Sequence, residues 1–293
     1  MPSHARPNHP LHGPLPILAA CALWGTTGTA GSFAPASAPA IAVGSAGLVV
    51  GGLLLLLTGI GAGAREVLAT ADRRLLLLGS ATVAGYALAF YPAVARTGVA
   101  VATTVALATA PIVLGVRARP ALTLTAVLGC ALLVLGGATG DTRIDPLGVA
   151  LAVVAGLSYA AYSAVCAHLI SLGHPSRAVV GVVFGGASAL VLPVLLLAGV
   201  SWIASTAGLA VVAHLAVLTT FLSYLLFGYG LRRTTAAAAT TLTLAEPAVA
   251  AVLGVVVVGE RLPWVSWAGM AVLAVALAAL TRAPRTPETI TTG

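Results

Sequence analysis

The chain has 293 residues, of which 59% are hydrophobic and 7% charged, against about 25% charged in an ordinary soluble domain. So few charges cannot cover a water-exposed surface of normal extent, and ten apolar stretches of roughly span length leave no room for a separate soluble domain. The net charge of +7 does not point to nucleic acid as a partner, because all 14 basic residues are arginines scattered between the apolar stretches, with no basic face to meet a phosphate backbone.

The stretches predict helices at approximately 15–33, 39–60, 74–94, 98–116, 121–139, 147–170, 178–200, 207–230, 235–258 and 264–281, joined by short connections rich in Pro, Gly, Ser and Arg. A lipid solvent requires each segment to satisfy its own backbone polar groups, which helices do. The expected fold class is an all-α membrane protein of ten transmembrane helices, with the lipid bilayer as its surroundings. Arg6 followed by the apolar run from Leu15 resembles a signal sequence, and Ala36-Ser37-Ala38 imitates a cleavage site. The run exceeds the roughly 7 to 15 residues of a signal core, so it reads as a retained first span.

Arginine placement sets the expected orientation. Arg6, Arg65, Arg73, Arg74, Arg117, Arg119, Arg177, Arg232, Arg233, Arg282 and Arg285 fall on one side of the spans, and only Arg96, Arg143 and Arg261 on the other. The expectation is a multi-pass protein of the cytoplasmic (inner) membrane with both termini cytoplasmic.

The two halves repeat. Gly47, Gly51 and Gly52 return as Gly181, Gly185 and Gly186, while Arg96, Ala100, Ala102, Thr104 and Pro111 return as Arg232, Ala236, Ala238, Thr240 and Pro247. This predicts two five-helix units, 15–139 and 147–281. Because five is odd, the second unit enters the membrane inverted relative to the first, an architecture found mostly in transporters. The glycine pairs suit close helix contact, within the chain or in a homodimer.

Pro111 and Pro247 stand at matching places in spans four and nine. Each removes an N–H and frees the carbonyl four residues earlier, at Leu107 and Thr243, so both are expected helix breaks of the kind that builds a midplane site. The competing reading is a simple kink. Glu246 is the one acid well inside a span, about 15 Å of helix from either end. A carboxylate there is costly, so it is expected to be protonated, bonded to a neighbour such as Thr243, or turned to water. It is a candidate for proton coupling or for binding a substrate ammonium.

Trp24, Tyr86, Tyr91, Tyr159, Tyr162, Tyr224 and Tyr229 include several aromatics too far from the span ends for an interfacial belt. Trp24, Tyr86, Tyr91, Tyr159 and Tyr224, with Glu246, are the expected substrate-binding set, since buried tyrosine hydroxyls need partners that a wet cavity supplies. Ordinary helix packing is the alternative for any one of them. His214, in span eight, is a second candidate for proton coupling, against a packing role. Cys21, Cys130 and Cys166 read as small packing residues, and Asp141, Arg143 and Asp145 as a solvated turn between the units. No metal-ligand spacing, phosphate loop or nucleophile motif is present, so no cofactor, metal or catalysis is expected.

Leu23-Trp24-Gly25, the stretch TLTLAEPAVAAVLGVVVVGERL from Thr241 to Leu262, and the doubled five-span pattern resemble the EamA family of the drug/metabolite transporter superfamily, over residues 15 to 281. The resemblance implies ten helices around a central cavity and movement of small organic solutes, commonly export of amino acids or related metabolites. One departure is that the first unit closes span four with Arg117-Ala118-Arg119-Pro120 and has no counterpart of Gly259-Glu260-Arg261. With one acid and no buried arginine expected in the lumen, the expected small-molecule substrates are neutral or zwitterionic. The other classes weighed are a membrane-embedded enzyme acting on a hydrophobic or lipid-linked substrate, which needs clustered acids or histidines, and a membrane subunit without transport, which tolerates truncation of the aromatics.

Overall fold

The computed structural model describes residues 13–31, 33–116, 119–136, 145–253, 255–256 and 261–282. Arg6, Arg117, Asp141, Arg143, Gly259, Glu260, Arg285 and residues 137–139 of the expected first unit lie outside the described residues. Every regular element among the described residues is helical: α1 Pro14–Trp24, α2 Thr27–Gly31, α3 Ala40–Ile60, α4 Ala64–Thr70, α5 Arg73–Gly115, α6 Pro120–Gly136, α7 Pro146–Ser171, α8 Ser176–Ala198, a 3₁₀ turn Ser201–Ala204, α9 Thr206–His214, a π-helical segment Leu215–Leu222, α10 Ser223–Leu231, α11 Ala236–Leu242, α12 Ala245–Leu253 and α13 Trp264–Arg282. Among the described residues, seven stretches are long and apolar enough to cross a membrane, with shorter apolar helices at Val101–Gly115 and Pro120–Gly136. The surface suits lipid: Leu197 is 90% exposed, and Leu77 and Val275 are each 70% exposed.

α5 contains the expected third and fourth spans, and its packing shows that it doubles back. Ala89 and Ala106 share one buried cluster with Ala155 of α7, and Ala93 and Ala102 share another with Ala152. In a straight helix Ala89 and Ala106 would be about 25 Å apart, too far to meet around one alanine. The chain therefore reverses near residues 95–100, and both arms lie along α7.

Arg96 stands at this reversal. Its Nη1 is 2.9 Å from Asp145 Oδ2, while Asp145 Oδ1 accepts the Leu147 N–H at 2.9 Å and so caps α7. Beside them, a Cβ on Gly148 would sit 2.8 Å from Arg96 Cβ, so only glycine admits the hairpin tip this close. Asp145, expected as part of a solvated turn, fastens the first half of the chain to the second. The Arg96 hydrogen bond, followed by the Leu147 N–H, holds its carboxyl below the usual carboxylate range.

Glycines also set the α3–α8 contact. A Cβ on Gly59 would meet the Gly181 Cα at 3.4 Å, and one on Gly52 would meet the Phe184 carbonyl oxygen at 2.7 Å. Ser188 reaches the Leu48 carbonyl at 3.1 Å across the same interface. Gly47 and Gly51 instead face Leu215 and Thr220 of the π-helical segment. The repeated glycines are thus consumed by contacts within the chain, not presented to a second copy.

Two expectations about helix breaks need correction. At Pro111 the helix continues to Gly115, so this proline opens no break. The second discontinuity lies instead in the first span, at Gly25–Thr26 between α1 and α2. The break ahead of Pro247 is present, at Thr243–Leu244. The Thr243 carbonyl is not left free there: it accepts the Glu246 N–H at 3.0 Å, a tighter turn that compensates for the N–H that proline lacks.

Candidate functional site

The two interrupted helices meet. A Cβ on Gly25 would lie 2.7 Å from Val249 Cγ1 and 3.1 Å from the Ala250 nitrogen, so the end of α1 seats directly on α12. Above this crossing is a cavity of about 600 Å³ that reaches the 34–40 connection. Trp24, Tyr86, Tyr91, Tyr159, Tyr224 and Glu246, which the sequence reading grouped as one set, all line it, and so does Pro247. Pro111 and His214 are not in its lining.

The aromatic lining is continuous. The Trp24 ring lies 5.0 Å from that of Tyr224 and 5.6 Å from that of Phe227, and Tyr224 lies 4.1 Å from Phe184. Tyr159 connects Tyr162 at 5.2 Å to Tyr86 at 6.3 Å, and Tyr86 stacks on Phe90 at 5.5 Å. Such tilted and edge contacts are the favoured aromatic geometries. Together they hold the rings in place without occupying the cavity. Tyr91 lies against Gly44, whose missing side chain leaves room for the ring.

Polar groups in this lining are few. The Tyr159 hydroxyl donates to Thr243 Oγ1 at 2.7 Å, and Thr243 donates onward to the Thr240 carbonyl at 2.8 Å. Thr243 therefore does not donate to Glu246 as expected, since its one proton goes to the Thr240 carbonyl. Among the described residues, the Glu246 carboxylate makes no hydrogen bond or ion pair and is half-buried against the cavity. Tyr162 donates to the Tyr224 hydroxyl at 3.5 Å.

His214 serves the first helix break. The single Thr26 hydroxyl proton goes to the Leu23 carbonyl at 2.6 Å. The 2.8 Å contact of Thr26 Oγ1 with His214 Nε2 must then be donated by an N–H on that nitrogen. The three cysteines are buried and free. Cys21 Sγ reaches the Leu242 carbonyl at 3.6 Å, a weak bond that adds to the contact between the two interrupted helices.

Tyr162, Phe184, Phe90 and Thr219 also line the cavity, outside the set expected from the sequence. Tyr162 carried a usable signal, being three residues from Tyr159 and so on the same helical face. The break at Gly25–Thr26 also had one, a short run of threonine and glycine after Trp24. Phe184 and Thr219 had none, since only the packing of α8 and the π-helical segment on α3 places them here.

Residues 146–282, from the start of α7 to the end of α13, match the EamA-like transporter family. Over 257 residues the chain is 36% identical to the uncharacterized transporter YwfM of Bacillus subtilis (strain 168), a match spanning 84% of this chain and 86% of the relative. A solved structure described only as a crystal structure of a protein is similar with a TM-score of 0.75 at 21% identity, covering 92% of this chain and 96% of its own. At that identity the likeness is one of fold.

Proposed function

The chain belongs to the EamA-like transporter family, and from that premise we propose that it is a secondary transporter or facilitator that exports small neutral or zwitterionic organic solutes, amino acids or related metabolites, across the cytoplasmic membrane. In this reading residues 15–139 and 147–281 are two inverted five-helix units with both termini cytoplasmic. By the arginine count, the 34–40 connection and the Arg96–Asp145 pair then lie outside, and the cavity opens outward.

One observation carries the proposal: a 600 Å³ cavity walled by aromatic rings and holding a single unpaired carboxylate at the meeting of two interrupted helices. The volume suits a small metabolite. Ring faces and one carboxylate suit a solute with an apolar body and an ammonium group, because both attract a cation while tolerating uncharged carbon. The same carboxylate suits proton coupling, since an unpaired acid in a low-dielectric wall binds either a proton or a cation to neutralise itself. With the repeated glycines consumed within the chain, a homodimer would have to use another face.

The test is movement of a labelled panel of amino acids and metabolites in proteoliposomes, with and without a pH gradient, for the wild type and Glu246→Gln. Gradient-driven flux that loses its response in the variant supports coupling through Glu246. Flux indifferent to both leaves a facilitator, and no flux across a broad panel defeats the transport reading.

A further inference from the structure

A second cavity, of about 390 Å³, lies between the start of α8 and the end of α10. It is at the far end of the molecule from the 34–40 connection. Gly44, near the start of α3, lines the central cavity, whereas Gly59, fifteen residues or about 22 Å further along that helix, packs on the Arg177 carbonyl. Tyr224 lines both cavities, so one side chain stands between them.

The second lining has a chemistry of its own. Arg177 and Arg232 stand on it from two different elements, and Val180, Leu225 and Leu226 supply apolar wall. Neither arginine makes an ion pair or a side-chain hydrogen bond among the described residues, whose one salt bridge is Arg96–Asp145. Glu66, on α4 beside Pro175, is not in the lining. The Arg232 guanidinium carbon is 5.8 Å from the centre of the Tyr229 ring, and that of Arg233 is 4.5 Å from it, so cationic groups crowd this rim. Both guanidinium groups are exposed at the cavity mouth without an acidic partner among the described residues, and a guanidinium fork matches the two oxygens of a carboxylate or phosphate.

We propose that this second cavity is an oxyanion-binding site, in which Arg177 and Arg232 clamp a carboxylate or phosphate group and Val180, Leu225 and Leu226 receive the carbon chain attached to it. The ligand class is an amphipathic oxyanion, which the headgroup of an acidic phospholipid and a soluble fatty carboxylate both provide. The site does not depend on the transport reading. Its shared wall places the bound anion one side chain away from the central cavity.

The experiment uses the purified full chain freed of lipid in a neutral detergent. One arm measures binding of short-chain phosphatidylglycerol against the matching phosphatidylcholine, and the other hexanoate against hexanamide. Wild type is compared with R177Q/R232Q and with R65Q/R73Q, which removes two arginines from the α3–α5 region outside the cavity. The expected result is that R177Q/R232Q binds phosphatidylglycerol, hexanoate or both about tenfold more weakly, with R65Q/R73Q close to wild type. Loss confined to the lipid arm identifies a headgroup as the occupant, and loss confined to the hexanoate arm a soluble acid. Equal binding by wild type and R177Q/R232Q in both arms, or equal weakening by R65Q/R73Q, overturns the site. A measurement on the wild type alone guards against a variant that fails to fold: the bound ligand should slow phenylglyoxal modification of Arg177 and Arg232 severalfold but not that of Arg65 and Arg73. Equal modification with and without ligand also overturns the site.

Discussion

The Tyr159 hydroxyl donates a 2.7 Å hydrogen bond to Thr243 Oγ1, tying α7 to the interruption between α11 and α12. Thr243 hands its own proton to the Thr240 carbonyl, so the bond closes a short relay at the helix end instead of supporting Glu246. The interrupted helix is thereby held from a helix 84 residues away in sequence.

Breaking this relay is expected to cost stability and to loosen the cavity wall. Tyr159→Phe removes the donor and should lower stability by about 1 kcal/mol, whereas Thr243→Val also strands the buried tyrosine hydroxyl and should cost about 1–3 kcal/mol. Thermal unfolding in detergent measures both. The double variant should cost less than the sum of the singles, and strict additivity would show that the pair is not coupled.

Gly25 and Gly44 make a contrast between two kinds of close approach. An alanine at 25 meets Val249 and the Ala250 backbone, neither of which can swing away, so Gly25→Ala should destabilise by about 1–3 kcal/mol. At 44 the obstacle is the far end of the Tyr91 ring, which can rotate aside. Gly44→Ala should therefore leave stability nearly unchanged and reproduce the solute-flux profile of Tyr91→Ala. A large stability loss at 44 would contradict this.

The Arg96–Asp145 fastening has a defined pH dependence. Asp145 is held below the usual carboxylate range in the folded chain, so its contribution is fully present above the unfolded-state pKa near 3.8 and disappears as pH falls through the lower folded value. The stability gap between wild type and Asp145→Asn should be constant from about pH 5 to pH 8 and shrink only below about pH 4. A gap already closing at pH 6 would show that another group controls it.

His214 holds Thr26 from outside the cavity lining, so its expected role is to set the first helix break. In the proteoliposome flux assay, His214→Gln should retain any response to a pH gradient that Glu246→Gln abolishes, because glutamine can still donate an N–H to Thr26. Loss of the gradient response in His214→Gln would restore the histidine as a proton carrier.

Composition settled that this chain is a helical membrane protein, because the scarcity of charge and the length of the apolar runs are properties that each segment carries alone. The stretch from Thr241 to Leu262 carried the family in the same local way. The set of aromatics around Glu246 was also legible, as large polar-tipped rings far from the span ends have few other uses. What the sequence could not contain is which segments meet. The doubling of α5 depends on two alanine clusters built with α7. The break in the first span is held by a histidine 188 residues away. Asp145 became a fastening through an arginine 49 residues earlier. Proline misled for a related reason: it removes one N–H wherever it stands, but whether the helix then opens depends on the neighbours that satisfy or crowd the carbonyl, and those neighbours are chosen by the tertiary structure.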